Sequence, residues 1–272
     1  MKITRTFRYM LVCSSIALSV AACDRGQKGN ETEKPAASAE ADGPLKYESV
    51  TPYAKVSLTL PEAIKGYPDL YKQLYDAEVG KLKDYSEGAQ SDRSEFGSAD
   101  LPPYEKTILY SQPVETGRLF SMMRSDFDYS GGAHSNTVAT GLLWDRTTNK
   151  QVAAADLFAA DADKALLGRT LCDAVNAAKK GRQGSVPLQA TGMWTCPDVS
   201  KVAVMLAPSD TAGKSSGITF LLNAYDVGPY VEGPYYLTIP FEALGKAINP
   251  TYAAEFAGTG PKGDVTQTLR PQ

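Results

Sequence analysis

The stretch from Thr107 to Asp145, TILYSQPVETGRLFSMMRSDFDYSGGAHSNTVATGLLWD, decides the fold class. Within it, Thr107 to Gln112, Arg118 to Asp126 and Thr137 to Asp145 are strand-like runs, separated by segments rich in turn-forming residues. Thr147-Thr148-Asn149-Lys150 adds a further turn, so the region from Tyr104 to Gln151 reads as a meander.

Upstream, Ala54 to Leu60 alternates, with Val56, Leu58 and Leu60 on one face and Lys55, Ser57 and Thr59 on the other. This is the period of a half-buried strand, at an edge or with one wet face. From Pro68 to Ser86, Leu70, Leu74, Ala77, Leu82 and Tyr85 recur near helical spacing, with Pro68 available as a first-turn residue. The polar stretch Ser86 to Pro103, with Gly88, Gly97 and two prolines, predicts a long loop.

Downstream, Asp161 to Lys180 returns to helical spacing through Leu166, Leu167, Leu171, Val175 and Ala178. It ends in Lys179, Lys180 and Arg182, cations suited to a helix C-terminus. Lys201 to Leu206 and Gly217 to Ala224 read as paired strands, Tyr235 to Ile239 as a last strand and Phe241 to Ala247 as a short helix. Because strands and helices come in separate runs, the expected class is α+β, with a largely antiparallel sheet, two main helices and a short C-terminal helix.

The 272 residues carry 28 Lys and Arg against 31 Asp and Glu, a formal net charge of −3, which argues against a nucleic-acid binder. One His and four Cys, with no Cys-x-x-Cys or His-x3-His spacing, are too few for a zinc ribbon or a multi-His metal centre. Neither a cofactor, nor a metal ligand, nor a catalytic residue is assigned.

Residues 1–22 read as a secretory signal: Lys2, Arg5 and Arg8 precede a short apolar run from Met10 to Val20. A spanning helix needs about 20 apolar residues, and this run is roughly half that. Val20-Ala21-Ala22-Cys23 resembles the bacterial lipobox, which makes Cys23 the expected acylated N-terminus. The alternative is an ordinary signal cut at an Ala-x-Ala-like site, with Cys23 an incidental thiol. Cleavage would remove three basic residues and leave a side-chain charge of 25 − 31 = −6.

Residues 23–46 are rich in Gly, Glu, Lys, Ala, Ser and Pro and read as a flexible tether with an r.m.s. reach of roughly 25 Å. An N-terminal strand-helix region is expected over 47–103, followed by an α+β domain over 104–260. In an exported chain with Cys23 acylated and Cys13 removed, Cys172 and Cys196 are the remaining cysteines. A disulfide between them is expected, worth roughly 3 kcal/mol for a loop of this length, with two buried thiols as the alternative.

Asp126-Phe127-Asp128-Tyr129-Ser130-Gly131-Gly132-Ala133-His134-Ser135-Asn136 gathers two acids, two glycines and the only His. Paired glycines allow close backbone approach to a ligand, so Asp126, Asp128, Tyr129, Gly131, Gly132, His134 and Asn136 are candidate binding residues. The plainer alternative is a tight loop between strands. Tyr225 and Tyr230, in a tyrosine-dense segment, join the candidates as aromatic anchors, with strand packing as their alternative.

Three ordered motifs carry a family resemblance. They are Gly131 to Asn136 with Gly141-Leu142-Leu143-Trp144-Asp145, then Ala155-Asp156-Leu157-Phe158, then Phe220 to Gly233 followed by Ile239 to Leu244. Together they resemble the RsiV-like ectodomain family, found in lysozyme-sensing anti-sigma factors and beside a peptidoglycan deacetylase. Val56 to Tyr85 resembles the companion domain of unknown function that usually precedes it.

The chain shows neither the spanning helix and sigma-binding segment of the first group nor the His-rich metal site of the second. The resemblance therefore implies the shared extracytoplasmic module. Its expected role is a lipid-anchored envelope binder of a lysozyme-like protein or of peptidoglycan, facing the periplasm from either membrane. An acidic mature chain would attract a cationic muramidase. Two alternatives stand beside it: an enzyme using Asp126, Asp128 and His134 as acid and base groups, and a structural or assembly lipoprotein. The sequence leaves the oligomeric state open.

Overall fold

The computed structural model describes residues 40–95, 101–189 and 191–269. The signal segment, Cys23 and the tether up to residue 39 lie outside the described residues. The α+β class holds, with the strands divided between two largely antiparallel sheets.

The first sheet contains β1 (Lys46–Val50), β2 (Ala54–Thr59), β3 (Tyr104–Tyr110), β4 (Val114–Glu115), β5 (Leu119–Tyr129), β6 (Asn136–Asp145) and β7 (Lys150–Gln151). Its order is β1-β2-β3-β5-β6-β7, with β4 alongside β5. Only β2 and β3 pair in parallel, because α1 (Pro68–Glu95) is the long crossover that parallel neighbours require. These two strands flank residue 103, so the regions expected on either side of it share one sheet.

Strand β2 takes the second of its two expected forms: β1 covers its outer side, so it is not an edge, and it keeps one wetter face with Lys55 exposed. Two local expectations need correction. Residues 41–46, expected within the tether, are fastened to the domain. The Ala41 N–H donates to the Lys65 carbonyl, the Leu60 N–H to the Leu45 carbonyl and the Tyr71 hydroxyl to the Pro44 carbonyl. Helix α1 continues through the predicted loop to Glu95, because Leu82, Ala89 and Arg93 extend its buried stripe at spacings of seven and four residues.

The second sheet runs β11-β10-β9-β8, from β8 (Ala203–Ala207), β9 (Gly217–Leu222), β10 (Tyr235–Pro240) and β11 (Gly263–Asp264). One face of β9 buries Ile218, Phe220 and Leu222 in a core shared with α2 (Lys164–Lys180). Leu221, on the other face, packs with Met123 and Ala139 of the first sheet. Asp163 caps α2, accepting from the Leu166 N–H at 2.9 Å. The predicted disulfide joins Cys172 on α2 to Cys196. The C-terminal helix is the short α3 (Phe241–Leu244), followed by one further turn, α4 (Pro250–Ala253).

The two sheets approach so closely at β6 and β8 that a Cβ on Gly141 would lie 1.7 Å from the Val204 carbonyl oxygen. No larger residue fits there without moving backbone. Ser121 Oγ adds a link by accepting from the Leu206 N–H at 3.0 Å. This junction fixes the base of the long β5–β6 hairpin, which stays paired out to Asp128 and Asn136 and carries the glycine-rich loop at its far end.

Candidate functional site

In that loop Gly131 takes φ +82° and His134 is exposed, its ring stacked on Tyr230 at 4.1 Å between centroids and 25° between planes. The Ser135 carbonyl accepts from both partners, from His134 Nδ1 at 2.9 Å and from the Tyr230 hydroxyl at 2.6 Å. That bond assigns a proton to Nδ1. Tyr225 extends the cluster, 5.6 Å from Tyr230 and 50% exposed, with φ held at +73°. A bulky side chain rarely takes such a φ, and strain of this kind persists only where the surroundings enforce it. Val231, beside Tyr230, is 90% exposed. The chain thus brings two segments some ninety residues apart into one solvent-facing aromatic surface.

The segment carrying Tyr225 and Tyr230 is held at both ends. At one end the Asn223 side chain bonds to the backbone of Ala139 in β6. At the other, Glu232 accepts from Lys179 at 2.6 Å and from the Tyr235 hydroxyl at 2.6 Å. Burial pushes the Glu232 carboxyl up, but these hydrogen bonds outweigh it and hold its pKa below the ordinary value. Arg182 lies 3.6 Å from the Tyr235 ring centroid and donates to the Glu232 and Pro234 carbonyls. The chain passes so tightly over this ion pair that a Cβ on Gly228 would lie 2.5 Å from a Glu232 carboxylate oxygen.

Sequence reasoning missed Lys179 and Glu232. Lys179 reads as a helix-end cation, yet it continues the buried stripe Leu167, Leu171, Val175 and is 1% exposed. Its place on that stripe was the available signal, since a buried lysine calls for an acid nearby.

Asp126 and Asp128 belong to a different environment, on the face of β5 that also carries Arg124. Lys106 Nζ lies 2.8 Å from Asp126 and 3.3 Å from Asp128, and Arg124 pairs with Asp126 at 3.0 Å. Arg124 also reaches Glu78 of α1 at 2.8 Å, and the Tyr110 hydroxyl donates to Glu78 at 2.9 Å. Burial raises the Glu78 carboxyl, but Arg124 and Tyr110 bring it below its usual range. Burial and Glu78 drive the Tyr110 hydroxyl far upward.

These acids therefore help seat α1, while His134 is engaged with Tyr230 and Ser135. The Tyr129 carbonyl accepts from the Tyr85 hydroxyl at 3.1 Å, and Asn136 closes the hairpin opposite Asp128. Of the predicted set, His134 shares one surface with Tyr225 and Tyr230, the exposed Gly131 and Gly132 form the loop before it with Gly131 facing the Tyr104 ring, and Asp126, Asp128 and Tyr129 serve the α1 seam.

Among the described residues no helix is long and apolar enough to cross a membrane, and no three His, Cys, Asp or Glu side chains are grouped to hold a metal ion.

No family model matches the chain, and no curated protein matches it. Among solved structures it is similar to the crystal structure of a DUF3298 family protein from Pseudomonas aeruginosa. The TM-score is 0.50 at 17% identity, over 78% of this chain and 94% of that one. A DUF3298 family member from Bacteroides fragilis matches with a TM-score of 0.45 at 20% identity, over 74% of this chain and 86% of that one. The first likeness shows a shared fold.

Proposed function

We propose that this protein is an exported, lipid-anchored module of the RsiV-like ectodomain type that binds a lysozyme-like muramidase or peptidoglycan fragments at the bacterial envelope. The observation that carries the reading is the stack of exposed His134 on half-buried Tyr230, flanked by exposed Tyr225. Aromatic rings supply large contact area at low conformational cost, and a stack already held in place leaves little ordering to be done on binding. Both rings are tied to the Ser135 carbonyl, which supplies that preorganisation.

The chain's own start supports the compartment: a basic n-region, a short apolar run and a lipobox-like Cys23. Once processed, a side-chain charge of 25 − 31 = −6 favours encounter with a cationic muramidase, mainly through the association rate.

The test is calorimetric titration of the purified protein with a lysozyme-like muramidase and, separately, with muropeptides. Saturable binding of either supports the reading and selects the ligand class. Absence of binding to both at high protein concentration removes it.

A further inference from the structure

We propose that a second site, separate from the aromatic surface, binds a small apolar amino acid as its zwitterion. A cavity of about 250 Å³ opens between the turn at Ala154–Leu157, the start of α2 and the chain just after Cys196. Phe158, Ala159, Leu167 and Val199 give it an apolar lining, while Asp156 and Lys164 supply one carboxylate and one ammonium. Among the described residues neither of these two side chains is ion-paired. Few, opposite and uncommitted charges beside an apolar lining form the usual pattern of a small-ligand site.

Size and charge narrow the occupant. The volume equals roughly eight waters at about 30 Å³ each, short of the roughly 300 Å³ at which drug-sized ligands begin. One leucine or phenylalanine matches it. A ligand bearing only a carboxylate leaves Asp156 without a partner, and one bearing only an amine leaves Lys164 without one. A zwitterion pairs with both, while its side chain takes the apolar lining.

The walls are fixed by features that the aromatic surface does not use. Ala155-Asp156-Leu157-Phe158 forms one wall. Asn249 Nδ2 donates to the Asp156 carbonyl at 2.9 Å, and Phe158 stacks on Phe220. The disulfide ties the stretch bearing Val199 to α2, which bears Lys164 and Leu167. No residue of the cavity belongs to the His134–Tyr230 surface, so the two proposals stand or fall independently.

Calorimetry on the purified full chain tests this with L-leucine and L-phenylalanine against glycine, N-acetyl-leucine and leucinamide. Leucine and phenylalanine are expected to saturate a single site, the three controls binding at least about tenfold more weakly. Lys164→Gln and Asp156→Asn each weaken leucine by about tenfold or more. Ala155→Trp, at an exposed rim position, abolishes binding with the melting temperature unchanged. The proposal is overturned by no heat from leucine or phenylalanine at millimolar concentration, by equal affinity for N-acetyl-leucine or leucinamide, or by undiminished binding to a folded Ala155→Trp variant.

Discussion

The Asn223 side-chain amide pairs with both backbone groups of Ala139: Oδ1 accepts from its N–H at 2.7 Å, and Nδ2 donates to its carbonyl at 3.1 Å. A side chain thereby stands in for a neighbouring strand, joining the end of β9 to β6 and placing Tyr225 two residues further on. Ala139 is fully buried, so truncating Asn223 leaves two polar groups unsatisfied. Asn223→Ala should cost about 2 kcal/mol and lower the melting temperature by roughly 4–8 °C. Thermal denaturation followed by circular dichroism checks this, and an unchanged melting point would show that the pairing holds nothing.

Stability should fall on the acid side. Glu232 has its folded pKa below the ordinary glutamate value of 4.5, and Glu78 and Asp145 are shifted the same way, burial raising each but hydrogen bonds and cations lowering it more. A depressed carboxyl contributes stability that is fully present above its unfolded pKa and lost as pH drops through the folded one. Urea denaturation should therefore give similar midpoints from about pH 6 to 7 and lower ones below about pH 4.5. Glu232→Gln should cost about 3 kcal/mol at neutral pH, because it strands the buried Lys179 ammonium, and should also flatten the acid slope. An unaltered pH profile in that variant would remove Glu232 from the account.

Opening the Cys172–Cys196 loop, whose ends are 24 residues apart in sequence, should cost about 3 kcal/mol through the unfolded state. The double Cys172→Ser, Cys196→Ser variant should melt lower than wild type, and a reductant should lower only the wild-type value. Equal sensitivity of both proteins to reductant would contradict this.

Much of the fold could be read from residue patterns, because the informative runs have one dominant period. Val56 and Leu58 in β2, and Leu167, Leu171 and Val175 in α2, declare their buried faces directly. What escaped is long-range. The polar end of α1 reads as loop until its Arg93 is seen donating to the Leu101 and Pro102 carbonyls, partners that only the folded chain supplies. Strand β1, KYESV, lacks a strong period and is recruited by pairing with β2. Half of the candidate site was visible as an unusual cluster of residue types, but the stacking of His134 on Tyr230 depends on a hairpin meeting a distant turn. Asp126 and Asp128 attract notice by their neighbours in sequence, whereas their shared partner Lys106 lies on the paired strand β3, and Glu78, which Arg124 bridges to Asp126, lies on α1.

The proposed export predicts a definite N-terminus. Mass spectrometry of the membrane fraction from the expressing bacterium should find a chain beginning at an acylated Cys23. An intact basic leader with a free Cys23 thiol would withdraw the envelope role.

The proposed recognition surface is the ring of His134 stacked on that of Tyr230. His134→Ala removes the stack on Tyr230 and the exposed bond to Ser135, a cost of about 1 kcal/mol that leaves the protein folded. Tyr230→Ala removes one hydrogen bond and two ring contacts, with His134 and Tyr225, a cost of roughly 2 kcal/mol that leaves the protein folded at room temperature. The decisive measurement is the calorimetric dissociation constant for whichever envelope ligand the wild type binds, repeated on folded Tyr230→Ala. A loss of about thirtyfold or more is the predicted result, and an affinity equal to wild type would place recognition elsewhere on the molecule.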